Sequence, residues 1–237
     1  MFTFQVNDQD EILRQLLALY FSRRTQVRVI DLTYGRGALW SAVLDEPALR
    51  AKYKLTRCDA VPTVKGVKKR NLLTDDYSKF GQHDVALFDP PYLVGRRAFD
   101  YSKKQTSKKS WAKTGGLKKH TSNQTLEEFN RRVECLGDKA NQFLKPGGLL
   151  LVKVLDPRKD GTLIPHHVTI ANILHNAFEL VDIGVYLRMG ATTWKINRHL
   201  QNLHGYWMAF RLRDRTESLA GQGKIDGFIP DKFVCRI

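Results

Sequence analysis

Between Asp10 and Phe21, the residues Ile12, Leu13, Leu16, Leu17, Leu19 and Tyr20 recur at three- and four-residue spacing, which predicts an amphipathic first helix. The period then changes. Val27 to Ile30 alternates and runs into Asp31-Leu32-Thr33-Tyr34-Gly35-Arg36-Gly37, the pattern of a strand, a glycine turn and a helix. Lys54 to Asp59 predicts a second strand ending on a carboxylate, with a short edge strand near Val67. Asp84 to Phe88 predicts a strand built on the apolar run Val85 to Phe88. Asp89-Pro90-Pro91-Tyr92 ends it, because two prolines remove donors that a central strand needs. Helical spacing returns from Thr125 to Leu144 through Leu126, Phe129, Val133, Leu136, Ala140 and Phe143, and Lys145-Pro146-Gly147-Gly148 stops it. Leu149 to Val154 predicts a buried strand, Val168 to Phe178 a helix, and Leu180 to Tyr186 with Gly205 to Leu212 a last strand pair. Strands alternating with helices predict an α/β fold around a mostly parallel sheet, the last pair adding an antiparallel edge.

One stretch has no such period. Arg96 to His120 holds nine Lys or Arg against the single acid Asp100, with Gly115-Gly116 in its midst. It reads as an insertion spanning about 93–122 in a single domain covering 1–237, followed by a short tail from 214. A chain of 237 residues can bury one good-sized core, and 42% hydrophobic content argues against disorder. The longest apolar runs, such as Gly147 to Val152, are far too short to span a bilayer, and the first ten residues lack the features of a signal peptide. Cys58, Cys135 and Cys235 are widely spaced and fit no metal or disulfide framework, which predicts no metal and a reducing, cytoplasmic setting. His166-His167 lacks a Cys or acidic partner at metal spacing and reads as structural or incidental. The formal net charge of +15 favours a polyanionic partner, of which nucleic acid is the usual one.

The candidate chemistry gathers at strand ends. In open parallel sheets, ligands bind beyond the carboxyl ends of the strands, where Asp31, Asp59 and Asp89 all fall. At Asp89-Pro90-Pro91-Tyr92, a carboxylate, free carbonyls and an aromatic face make a rigid platform suited to a planar group bearing an NH2, such as a base. Taken alone the tetrapeptide also reads as a rigid turn. Gly35 and Gly37 let the backbone approach a ligand with no Cβ in the way. A third glycine of a dinucleotide fingerprint would fall at position 40, which is Trp, so a nicotinamide cofactor is disfavoured.

Val29 to Gly37, then Asp89-Pro90-Pro91-Tyr92, then Leu144-Lys145-Pro146-Gly147-Gly148-Leu149, in this order and spacing, resemble the class I S-adenosylmethionine-dependent methyltransferases. More narrowly they resemble the amino-group branch, which methylates adenine N6 or cytosine N4 in DNA. The resemblance covers roughly residues 10 to 212. It implies a Rossmann-like, seven-stranded, mostly parallel sheet with an antiparallel edge strand and helices on both faces. It implies S-adenosylmethionine as cofactor, held by Asp31 at its cationic methionine end, by Thr33, Tyr34, Gly35 and Gly37 in the turn, and by Asp89. Asp59 is implied at the ribose, although it also reads as a turn residue, and Asn71 and Leu72 at the adenine. Many adenine enzymes of this branch carry Phe where this chain has Thr33, so a ring beside the cofactor is missing unless Tyr34 or Trp40 supplies it.

The resemblance further implies direct attack by an exocyclic amine, with Asp89 and the carbonyl of Pro90 accepting its protons and Pro91 stiffening the turn. Tyr92 is expected to stack on a flipped-out base. No cysteine lies in a Pro-Cys setting, which argues against cytosine C5 chemistry. Arg96, Arg97, Lys103, Lys104, Lys108, Lys109, Lys113, Lys118 and Lys119 follow the platform and are expected at phosphates, with Tyr101 and Trp111 for stacking. Arg188, Trp194, Lys195, Arg198 and His199 form a second basic-aromatic cluster, which also reads as a surface hairpin. DNA is favoured over RNA, and adenine N6 over cytosine N4. RNA amino-group methylation and a non-catalytic nucleic-acid-binding protein are the competing readings. No target-recognition domain is visible, so the basic loop reads a very short target, or the enzyme has little preference, or a partner protein supplies specificity.

Overall fold

The computed structural model describes residues 2–4, 8–91, 125–159, 162–187 and 204–214. Seven strands form the main sheet in the order β9 (Phe178–Leu187), β10 (His204–Leu212), β6 (Leu144–Val154), β5 (His83–Phe88), β2 (Val27–Asp31), β3 (Tyr53–Asp59) and β4 (Lys68–Lys69). A three-residue strand, β1 (Phe2–Phe4), adds an eighth beside β9. Only β10 runs antiparallel to its sheet neighbours, lying between β6 and β9. The mostly parallel α/β sheet is the one that the alternating pattern predicts, and its Rossmann-like order is what the resemblance implies. A separate two-stranded ribbon pairs β7 (Arg158–Lys159) with β8 (Thr162–Leu163).

Alternation along the central strands splits the core into two layers. Val27, Val29, Val85, Leu87, Leu149 and Leu151 pack under α1 (Gln9–Phe21), with Trp40 and Val43 of the segment after the glycine turn. Ile30, Ala86, Phe88, Leu150 and Val152 face the other way, under α4 (Leu126–Asp138), α5 (Ala140–Phe143) and α6 (His166–Leu174). Thr125 caps α4 with a reciprocal capping box to Glu128, which fixes where that helix starts.

Boundaries depart from the sequence pattern where local chemistry was ambiguous. The turn after β2 leads only to a 3-10 turn at Ala38–Trp40 and the short helices α2 (Ser41–Leu44) and α3 (Pro47–Lys52). Lys145 to Gly148 is not a plain helix stop. It lies inside β6, within an irregularity that pairs His83 with Leu144 and then Val85 with Leu149. The helix expected over 168–178 begins at His166 and ends at Leu174, because Phe178 already belongs to β9. Among the described residues, no helix is long and apolar enough to cross a membrane.

Candidate active site

The segment after β2 is tethered to both neighbouring strands. Leu32 N–H donates to the Leu87 carbonyl at 3.0 Å, and Tyr34 N–H to the Cys58 carbonyl at 2.9 Å. Gly35 and Gly37 turn the chain at φ +55° and +80°, in the left-handed region. A Cβ on Gly37 would run into the Tyr34 ring, whereas one on Gly35 would meet nothing closer than the Thr33 carbonyl at 3.9 Å.

Three carboxylates cap the adjacent strands β2, β3 and β5. Asp31 is buried, and its oxygens accept from Thr33 N–H at 2.8 Å and from the Trp40 indole N–H at 2.6 Å. Burial pushes its pKa up to about 7. The two hydrogen bonds oppose that, while the charges of Asp89 and Asp59 add to it. Asp59 is also buried, and its oxygens accept from Gly35 N–H at 2.8 Å and Val61 N–H at 2.7 Å. It therefore pins the glycine turn to β3.

Asp89 differs from both. Its backbone N–H donates to Thr33 Oγ1 at 2.7 Å, which ties the two motif loops together. Its Oδ2 accepts from Lys153 Nζ at 3.0 Å. Its Oδ1 is buried and has no hydrogen-bond partner among the described residues. Burial raises the pKa of this carboxyl, and the neighbouring Lys153 ammonium pulls it only part of the way back. Pro90 is buried behind it and Pro91 half-buried. Cys58 is buried with its thiol pushed up to about 12 by burial, far from nucleophilic use.

The structure thus brings Asp31, Thr33, Tyr34, Gly35, Gly37, Asp59 and Asp89 to one edge of the sheet. Asn71 and Leu72 directly follow Arg70, whose backbone N–H donates to the Asp59 carbonyl at 2.8 Å. Asn71 Oδ1 accepts from Leu73 N–H at 3.1 Å in a local turn, and Leu72 joins the core layer under α4. Tyr92, Arg96, Arg97, Tyr101, Lys103, Lys104, Lys108, Lys109, Trp111, Lys113, Lys118 and Lys119 lie outside the described residues. So do Arg188, Trp194, Lys195, Arg198 and His199.

Sequence reasoning missed two side-chain partners of these carboxylates. Trp40 occupies the slot of the absent third glycine and donates to Asp31; its aromatic identity held no hint of that partner. Lys153 had a signal, since it is the one charge in the run Leu149 to Val154. His167, read as structural or incidental, has a structural role: its Nδ1 lies 2.6 Å from Asp156 Oδ2, and its ring stacks on Tyr206 at 4.2 Å. His166 is a core residue stacked on Phe129 at 4.1 Å. Among the described residues, no group of three or more His, Cys, Asp or Glu could hold a metal ion.

No protein-family model matches the chain, and no curated protein matches it. Solved structures do. The N-methyltransferase NodS from Bradyrhizobium japonicum, in complex with S-adenosyl-L-homocysteine, is 15% identical over 86% of this chain and 87% of its own, with a TM-score of 0.47. A provisionally assigned class I S-adenosylmethionine-dependent methyltransferase from Listeria monocytogenes is 14% identical over 97% and 65%, with a TM-score of 0.48. A provisionally assigned DNA modification methylase from Thermus thermophilus is 16% identical over 59% and 51%, with a TM-score of 0.33. This chain therefore spans about half the length of the last and about two thirds of the second. With TM-scores below 0.5, these likenesses assign neither reaction nor substrate to this chain.

Proposed function

We propose that this chain transfers a methyl group from S-adenosylmethionine to the exocyclic amino group of a nucleic-acid base, adenine N6 in DNA before any other. The observation that carries the reading is Asp89 Oδ1, a buried acceptor with no donor among the described residues, at the end of the central strand β5. An unmet buried acceptor costs about 1–3 kcal/mol, which an arriving N–H removes. An exocyclic amine brings two. Asp89 Oδ1 takes one, and the carbonyl of Pro90 is the next acceptor along the chain. Hydrogen bonds to both protons favour tetrahedral nitrogen over the conjugated planar form. The carboxylate also stabilises the positive charge that develops there.

The residues around the glycine turn fit the cofactor by their chemistry. Asp31 offers a buried carboxylate to an ammonium, and Gly35 leaves its face of the backbone clear of side-chain atoms. Asp59, with both oxygens on backbone N–H groups, orders that turn and keeps lone pairs for hydroxyl donors. When bound, S-adenosylmethionine supplies an electrophilic methyl group. Thr33 joins the turn to Asp89 and so fixes the acceptor carboxylate relative to that cradle. Tyr92 stacks on the extracted base, and the Lys/Arg-rich stretches at 96–119 and 188–198 hold phosphates, in keeping with the +15 charge. The reading places the enzyme in the cytoplasm, where its cysteines stay reduced, with specificity resting on the basic loop or on a partner protein.

Incubating the protein with S-adenosylmethionine and, separately, duplex DNA, single-stranded DNA and RNA tests this. Nucleosides from each digest are then resolved by mass spectrometry. N6-methyladenine in DNA is expected. N4-methylcytosine, or a methylated amino base confined to RNA, moves the acceptor within the class. Cofactor binding with no transfer to any nucleic acid overturns the acceptor class.

A further inference from the structure

We propose that Lys153 is a positioning residue for Asp89: it holds one carboxylate oxygen so that the other stays ionised, oriented and open to the acceptor amine. The inference rests on the methyl-transfer reading for what Asp89 does, and on the structure for what Lys153 does.

Alternation along β6 puts Lys153 on the same sheet face as the apolar Leu149 and Leu151. Both strand neighbours, Val152 and Val154, are fully buried, and the Lys153 side chain is only 10% exposed. A lysine here is expensive to desolvate, and packing alone would be served by Leu or Met at the same position. The pairing of Phe88 with Val152 sets Asp89 and Lys153 side by side, one residue further along both strands. The contact at 3.0 Å follows from that register.

The surroundings make this cation matter. Among the described residues, Asp31 and the Thr33 hydroxyl bear on Asp89 from the β2 side, with Asp59 acting on Asp31 from β3. From β6 only Lys153 makes an ion pair with Asp89, and neither Asp31 nor Asp59 has an ion pair among the described residues. Without Lys153, burial and the neighbouring carboxylate both favour the protonated acid. A protonated Asp89 would offer a hydroxyl donor where the mechanism needs an acceptor, so the rate should fall as that proton binds.

The test uses the full chain in three variants. Lys153→Met removes charge and donor at similar length, Lys153→Gln keeps a donor without charge, and Lys153→Arg keeps both. The first readout is the pH–rate profile of methyl transfer at saturating cofactor. The acidic limb should move about 1–3 pH units higher in Lys153→Met and Lys153→Gln, with the rate recovering on the alkaline side, and stay put in Lys153→Arg. Cofactor affinity should change by less than about twofold, since Lys153 contacts the acceptor carboxylate and not the glycine turn.

The second readout needs no activity. Carbon-13 titration of the Asp89 carboxyl, identified by its loss in Asp89→Asn and separated from Asp31 by Asp31→Asn, should show the same displacement. An unchanged Asp89 titration in Lys153→Gln, folded by circular dichroism, overturns the inference and leaves Lys153 a packing residue. A displaced titration in a protein that methylates no nucleic acid upholds the effect on Asp89 and sinks only the methyl-transfer reading.

Discussion

The two ends of strand β5 carry the same residue type in opposite states. Asp84, near its start, accepts from Arg28 N–H at 2.8 Å and from Lys145 Nζ at 2.7 Å, with Arg24 at 3.4 Å. Burial alone would raise its pKa, but these donors outweigh it and hold the carboxyl below the usual range. Asp89, just past the end of the strand, has among the described residues one ion pair and one oxygen without a partner, and its pKa is raised. Its side chain is the more exposed of the two, at 21% against 8%, yet Oδ1 itself is buried, so water does not stand in for the missing donor. The difference is in the donors supplied. Both oxygens of Asp84 are taken up by donors of the fold, whereas Asp89 keeps one acceptor in reserve among the described residues.

The sharpest way to break this contrast is to truncate the upper carboxylate. Asp89→Ala should lower methyl transfer by about 10³-fold, the range for losing one preorganised electrostatic contact, while calorimetry finds cofactor affinity nearly unchanged. Transfer at the normal rate would strip Asp89 of its role and reduce the open oxygen to a packing defect.

Asp31 extends the comparison to pH. Its folded pKa of about 7 lies above that of an unfolded aspartate, so the folded state binds this proton more tightly. The resulting stability is fully present below about pH 4 and is lost as pH rises through about 7. As much as about 4 kcal/mol depends on this one group. The melting temperature of the cofactor-free protein should therefore fall between about pH 5 and about pH 8.5, and the fall should flatten in Asp31→Asn. Equal slopes in the two proteins would mean that Asp31 titrates as an ordinary surface acid.

Much of this was legible beforehand, and what was missed has particular causes. Strands β2, β5 and β6 announced themselves because both their faces are buried, which leaves runs such as Val85 to Phe88 with no polar break. The convergence of Asp31, Gly35, Gly37 and Asp89 was also readable, since the motifs end adjacent strands. The partner of Asp89 was not. Which β6 residue stands beside it depends on the irregularity at 145–148, and Lys145-Pro146-Gly147-Gly148 has the composition of a helix stop. Trp40 was read as a missing glycine, because a hydrogen bond from an indole leaves no periodic trace. Strand β1 was missed for a different reason: three residues pair with β9 across almost the whole chain, and nothing local marks them.

At the lower end of β5 the expected loss is in stability, not in rate. Asp84→Ala leaves Arg28 N–H and Lys145 without their acceptor and should cost about 2 kcal/mol. Lys145 is 43% exposed and Arg24 60%, so water screens those two contacts and keeps the figure from rising further. Because the folded pKa of Asp84 is lowered, its contribution stands above the unfolded value near about 4 and is lost as pH falls through the folded one. The melting curves of wild type and Asp84→Ala should therefore converge in acid, while methyl transfer per folded molecule stays at the wild-type level. A rate defect as large as that of Asp89→Ala would erase the distinction between the two ends.

The smallest effect concerns how each end is tied to β2. Below, a backbone N–H of Arg28 donates to the Asp84 side chain; above, the backbone N–H of Asp89 donates to the Thr33 side chain. Thr33→Val keeps the shape but removes that acceptor, leaving a partly buried N–H unmet at a cost of about 1 kcal/mol. The same loss frees Asp89 to drift from the glycine turn, so transfer should fall about tenfold at saturating cofactor. Thr33→Ser, which keeps the hydroxyl, should restore most of both. A rate loss in Thr33→Val that Ser does not recover would point away from the hydroxyl and to how the side chain at this position packs.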